Sequence, residues 1–342
     1  MIVDRYYYSQ LNKAEQIIYK VVYEGIMEHK DIIPIPVRGN FSQETFVKIY
    51  KAITKDNPLI YYLNQSVCNM AQDSSGHIAI CPQYFFDKDK VKAYNKKIEK
   101  TVNELAFQLR LTEGSDYEKA RKVHDWLCQN VVYDKRGANL DDSSRVILAH
   151  NIIGVFAHRR AQCEGIAKAV KVLLNAVDVK CIVVTGTAFD EKEAEAHAWN
   201  IVNLEGMAYH VDVTWDIGKM NKSKNWICYD YFNVSDKMIQ IDHEMSEKLP
   251  SCRSLKLNYF TANQLIFKSK YQLLSYLKKH LDLDKRTFYF RMEGKSELTE
   301  LMKEIRVFLQ KYTMQDGKNK IKIQHGINEN IRTCWINISD DN

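Results

Sequence analysis

Three short segments hold residues able to do chemistry through sulfur. They are Ala161-Gln162-Cys163-Glu164-Gly165, His197-Ala198-Trp199-Asn200 and His210-Val211-Asp212-Val213-Thr214-Trp215-Asp216. Acyl transfer by a thiol needs an ionised sulfur, an imidazole that takes and returns its proton, and a third group that fixes the imidazole tautomer. Cys163, His197 and Asp212 are the residue types for those tasks. Cys163 stands at the predicted start of a helix, where unpaired N–H groups and the helix dipole favour an anion. Its backbone N–H is a candidate oxyanion donor, with Gln162 as a candidate helper or a backbone anchor. Gly165, in the first turn, is expected to leave the backbone open to an approaching acyl group. Trp199, Trp215 and Trp226 are candidate cleft walls, with core packing as the competing reading. Thr214 and Asp216 read as anchors of the loop after the strand. A metal site from His197, His210 and Asp212 is the rival chemistry, but no HExxH or paired-cysteine spacing accompanies it.

The elements around these residues must bring them together. Residues 163–177 have a helical period, with Ile166, Ala167, Val170, Leu173 and Leu174 inward. Strand signals follow at 180–187, 197–203 and 207–214. Glu205-Gly206 suits a two-residue hairpin with Leu204 opposite Met207. That register sets His197 opposite Thr214 and puts Asp212 diagonally beside it on the same face. A three-residue loop would turn Asp212 to the other face.

The segments GVFAHRRAQCEGIAKAVKVLLNA, HAWNIV and YHVDVTWD, with the earlier HDWLCQNVVYD and the later YDYFNVSD, resemble bacterial members of the transglutaminase-like superfamily. The likeness covers about residues 117–243, with His 34 residues after Cys and Asp 15 further on. It implies an α+β, papain-like core in which a helix bearing Cys163 packs on an antiparallel sheet bearing His197 and Asp212. It also implies Cys163 as nucleophile, His197 as general base and acid, and Asp212 as orienter. The implied reaction is amide hydrolysis or amide exchange through a thioester, on peptide or protein substrates, with no metal or organic cofactor. The alternative is a non-catalytic scaffold or protein-binding module on the same fold.

The flanks divide the chain into an N-terminal α+β lead-in (1–112), the core (113–250) and a small basic α+β segment (251–342). In the lead-in, Asn12 with Glu15 and Ser42 predict helix starts, residues 59–67 and 77–85 read as paired strands, and 88–110 as a long helix. In the last segment the pattern predicts helices over 269–281 and 295–311 and strands over 286–292, 320–324 and 331–338. Residues 140–160 carry no clear period.

The whole chain of 342 residues has 45% apolar and 27% charged residues, which excludes a disordered or collagen-like protein. No apolar run approaches a membrane span, and MIVDRYYYSQLNKAEQ lacks the order of a secretory signal. Eight cysteines without a CxxC pair then read as reduced thiols in a cytoplasmic protein, the seven besides Cys163 without a histidine partner. The net charge of +6 resides in residues 253–342, which hold 17 Lys+Arg against 10 Asp+Glu. These lysines read mainly as solvated helix faces, with a protein partner for this segment as the other option and no nucleic acid or membrane expected.

Overall fold

Four of the longer helices in the lead-in and core begin at side-chain caps. The Glu15 N–H donates to Asn12 Oδ1 (3.0 Å) and the Asn12 N–H returns a bond to Glu15 (2.9 Å), opening Lys13–Met27. Ser115 and Glu118 do the same for Asp116–Asn130. Each such box satisfies two N–H groups that a helix start would otherwise leave orphaned. Ser42 caps Gln43–Asp56, and Asp87 caps Lys88–Gln108. The structure, a computed structural model, describes residues 4–36, 42–135, 147–190, 193–220, 226–281, 285–295, 297–315 and 321–340.

The strand expected over residues 59–67 does not form. That segment is a series of turns, touching Tyr84 through a single bridge at Leu63. Ile60, Tyr61, Tyr62 and Leu63 are all buried, whereas a strand with one wet face buries alternate residues. The partner of Ile78–Cys81 is Asn69–Gln72, with Ile33–Pro34 on the other edge. The period-free stretch resolves in part as helix Ile152–His158, begun by an Asn151 cap. Residues 136–146 lie outside the described residues.

The centre is an all-antiparallel five-stranded sheet in the order His243–Met245, Cys181–Phe189, Ala194–Leu204, Met207–Val211, Phe232–Val234. At the hairpin, Glu205 (φ 52°) and Gly206 (φ 79°) both adopt left-handed conformations, the turn whose twist matches its strands. Leu204 pairs with Met207, and the register continues to Asn200↔Val211. The strand expected to reach Thr214 stops there. Asp212 instead caps the helix Val213–Lys219, its Oδ1 accepting from Trp215 N–H (3.1 Å), so His197 has no Thr214 partner in the ladder. A side-chain oxygen offered to the next turn ends a strand as effectively as it starts a helix.

Helix Cys163–Asn175 lies on this sheet with Ile166, Ala169, Val170, Leu173 and Leu174 buried. Ala167 packs with Val183 and Ala198 against Cys163. Lys171 is also fully buried. Its ammonium donates to the carbonyls of Asp4 and Cys181 at 2.8 Å each, pinning the lead-in to the sheet. Tyr7 Oη adds a 2.6 Å bond to Val183 O, and Lys55 bonds Glu247 (2.6 Å) and Thr185 (2.8 Å). One apolar cluster accordingly runs from Tyr7 to Leu257.

Residues beyond 266 have their own apolar cluster, from Phe267 to Ile338. Its helices are Lys270–Leu281 and Leu298–Gln315, and its sheet has the order Ile266–Phe267, Thr287–Met292, Thr333–Asp340, Ile321–Asn328. Asp230 fastens it to the core. This buried carboxylate accepts from Tyr289 Oη, from Thr333 Oγ1 (2.6 Å) and from Asn328 Nδ2 (2.7 Å). Beside it Trp226 stacks on Trp335 with ring centroids 5.1 Å apart. Asp230→Ala leaves three donors, one buried and two half-buried, without their acceptor. We expect a loss of about 2–3 kcal/mol in urea unfolding and faster proteolysis ahead of residue 266. No helix among the described residues is long and apolar enough to cross a membrane.

Candidate active site

Cys163 is the first residue of its helix, with Gln162 as an extended N-cap (φ −92°, ψ 179°). Its N–H precedes the first intrahelical bond, from Ile166 N–H to Gln162 O (3.0 Å). The Gln162 side chain does not cap. It is buried and donates to Asp134 O at 3.3 Å, anchoring the helix start to the neighbouring chain. Gly165 faces away from the cleft. A Cβ there would meet Ala149 O at 2.7 Å and Asn151 O at 2.9 Å, so its missing side chain admits backbone from inside the fold, not an acyl group from outside.

His197 comes from the middle strand of the sheet and is 9% exposed. Its Nε2 donates to Asp212 Oδ2 at 2.7 Å. The Cys163 thiol is the other side-chain group that acts on the ring, and with Nε2 engaged by Asp212, Nδ1 is the nitrogen left for the sulfur. Burial opposes a charge on His197, but the Asp212 carboxylate and the Cys163 sulfur outweigh it and push the imidazole up to about 10. Asp212 is fully buried. Burial alone would raise its carboxyl, yet His197 and His243 hold it well below the usual carboxylate range. Its position is fixed at every edge. Oδ1 takes the Trp215 N–H, Oδ2 takes His197 and also His243 Nε2 (3.0 Å), and its own N–H donates to Tyr231 O (3.0 Å).

The cleft before His197 has a volume of about 350 Å³, and its lining includes Tyr133, Ala188, Glu195, Thr214 and Trp215. Trp215 is half-buried and forms a wall. Trp199 is buried behind His197, stacked on it at 5.9 Å and 18°, with Nε1–H donating to His210 Nδ1 (3.0 Å). Trp226 belongs to the junction with the C-terminal sheet and is no part of the cleft. Asp216 is buried and accepts from Tyr231 N–H (3.1 Å), with His124 Nε2 3.0 Å away.

The set His197, His210 and Asp212 does not converge. His210 Nε2 lies 3.0 Å from Asp236. Among the described residues two other groups bring ligand-type atoms within 4.8 Å: His197 with Asp212 and His243, and His210 with Asp236 and Cys252. Imidazole–carboxylate hydrogen bonds of 2.7–3.0 Å account for the closeness of the histidines and carboxylates, and the Cys252 N–H, donating to Asp236 (2.9 Å), ties that cysteine to the second set.

Two features escaped the sequence reading. Cys128 does have a histidine, with Sγ 3.6 Å from His124 Nε2 one helical turn away. Both are buried, and burial pushes that thiol up, so the pair is sealed from substrate. The i, i+4 spacing of His124 and Cys128 was the available signal. The other is His243, treated below.

Residues 103–230 match the family described as "Transglutaminase-like superfamily". The chain is similar to kyphoscoliosis peptidase of Mus musculus, 26% identical over 154 residues, covering 43% of this chain and 23% of the relative. For the Homo sapiens protein of that name the match is 26% over 170 residues, covering 46% and 25%. The chain thus spans about a quarter of the length of these curated relatives. Among solved structures, the crystal structure of a TGase aligns with a TM-score of 0.32 at 14% identity, over 56% of this chain and 52% of that one. Over residues 103–230, therefore, the chain is similar to the core of the transglutaminase-like superfamily.

Proposed function

We propose that this protein is a cysteine-dependent acyl-transfer enzyme acting on peptide or protein amides. The observation that carries the reading is the convergence on His197 of a carboxylate at 2.7 Å and a helix-initial thiol. The Cys163 sulfur attacks the amide carbonyl and forms a C–S bond. The imidazolium of His197 gives its proton to the departing amine as the C–N bond breaks. Water then adds to the thioester with His197 accepting its proton, and the C–S bond breaks to release the acid and the thiol. An amine in place of water gives amide exchange. Hydrolysis is the favoured outcome, because water is abundant and the similar mouse and human proteins bear the name peptidase.

Alkylation tests this reading. Burial pushes up the thiols of Cys68, Cys128, Cys181, Cys228, Cys252 and Cys334, by varying amounts. Cys163 is half-buried, like Cys68 and Cys81, but alone of these three stands beside a charged imidazole. At pH 6, iodoacetamide is expected to label Cys163 at least about tenfold faster than any other cysteine. Slow, uniform labelling of all eight would favour a non-catalytic scaffold.

A further inference from the structure

His243 lies in the three-residue edge strand His243–Met245 and is buried on the far side of Asp212 from solvent. Both of its ring nitrogens meet a carboxylate: Nε2 is 3.0 Å from Asp212 Oδ2 and Nδ1 is 2.7 Å from Asp242 Oδ1. Ionised carboxylates only accept, and a neutral imidazole has one N–H. Each carboxylate has a further donor that suits its ionised form. Trp215 N–H donates to Asp212, and Tyr231 Oη donates to the second oxygen of Asp242. Two N–H donors on His243 complete the set, which makes it a cation between two anions.

We propose that His243 is a positioning residue: a buried imidazolium, held by Asp242 and Tyr231, that keeps Asp212 ionised and aimed while limiting how tightly Asp212 holds the proton on His197. The inference takes its catalytic meaning from the thiol chemistry proposed above. Its physical basis is the sharing of one oxygen. Asp212 Oδ2 accepts from both histidines, whose rings lie 5.4 Å apart, so the positive charge of one reduces what the carboxylate offers the other. Going inward from the sulfur, cation and anion then alternate: His197, Asp212, His243, Asp242.

The titratable and charged groups around His243 are consistent with this. Asp212 and Asp242 hold its two edges, and His197 and the exposed Glu195 lie on the strand beyond Ala188. His210, bonded to Asp236, sits behind Trp199, and Tyr231 packs on the ring at 5.5 Å. Lys219 lies across the outer faces of Trp215 and Tyr231. Burial works against a charge on His243, and the two carboxylates outweigh it.

The test is 15N NMR of histidine-labelled protein in a Cys163→Ala background, where the sulfur no longer influences His197. Between pH 6 and 8, His243 is expected to show both ring nitrogens protonated. His243→Gln keeps an N–H donor for Asp212 but not the charge, and the His197 midpoint is expected to rise by about one pH unit. Asp242→Asn, which removes the outer anion, is expected to raise it in the same direction as His243 gives up its proton. A single protonated nitrogen on His243 in this range overturns the proposal. So does a His197 midpoint that stays put or falls in both variants, the result for a plain prop whose loss lets Asp212 drift. None of these readouts needs a reactive thiol. Uniform alkylation of the cysteines would thus sink the acyl-transfer reading, and the ring nitrogens would still decide the state of His243.

Discussion

Cys163→Ala is expected to lower turnover of a cleavable peptide by about 10⁴-fold or more, and to remove any acyl adduct seen by mass spectrometry. The size follows from the role. Without the sulfur no thioester forms, and what survives is binding and whatever polarisation the helix start gives the carbonyl. The fold should hardly notice. Cys163 is half-buried and its apolar neighbours are small, Ala167, Val183 and Ala198. The loss of one sulfur there should cost no more than about 1 kcal/mol, so the melting temperature stays within a few degrees. Cys163→Ser is the sharper control. The hydroxyl occupies nearly the same place beside His197 but ionises far less readily, so the same collapse of rate is expected with the shape conserved. Turnover that survives in either variant would show that another group does the work. A rate lost only together with the melting transition would show that Cys163 is a packing residue.

The parts of this site that were legible in the sequence are those set by local rules. Glu205-Gly206 fixes a two-residue turn, the turn fixes Leu204 opposite Met207, and the sheet follows that register as far as Asn200 and Val211. The apolar face of the Cys163 helix and the reciprocal cap at Asn12 are equally local. The misreadings come from residues with two possible local roles. Asp212 is both a side chain two positions from the expected end of a strand and a good helix N-cap; the cap won, and it delivers the carboxylate to His197 more directly than the diagonal pairing would have. Gly165 reads as an opening in the first helical turn, yet the backbone of Ala149 and Asn151 fills the space. Residues 60–63 have strand-like composition but are buried on all sides in a turn region.

Other features depend on distant chain and leave no periodic trace. Lys171 sits on an apolar helix face because the carbonyls of Asp4 and Cys181 happen to meet there. His243 belongs to a strand too short to show alternation, and only its pairing with Gly186–Ala188 brings it behind Asp212. Gly186 allows that edge strand to approach, since a Cβ at this position would lie 2.0 Å from Glu244 O. The adjacent residues Asp242 and His243 were the one hint that the sequence offered.

Asp212→Ala is expected to cost about 10²–10⁴-fold in turnover and to change the pH profile in a direction no packing defect would mimic. The carboxylate holds His197 in the tautomer that presents Nδ1 to sulfur, and its loss frees the ring to adopt the other one. It also supplies the largest of the forces that raise His197 to about 10 against burial. Once it is gone, burial and the neighbouring His243 both act to lower that imidazole. The basic limb of the rate profile should therefore fall from near pH 10 to about pH 6.5 or below. Stability has its own signature. Asp212 titrates lower in the folded protein than in the unfolded chain, so its ionised form stabilises the fold above the ordinary carboxylate range. That contribution disappears as the pH drops through the depressed folded value. At neutral pH the variant should lose about 3–5 kcal/mol, since two histidines and the Trp215 N–H are left without their acceptor. Below about pH 4 the gap between wild type and variant should start to narrow, and it should close only once the pH has passed the depressed folded value. A stability gap that stays constant with pH would mean that Asp212 is neutral in the folded protein, and the steering of His197 would then need another source.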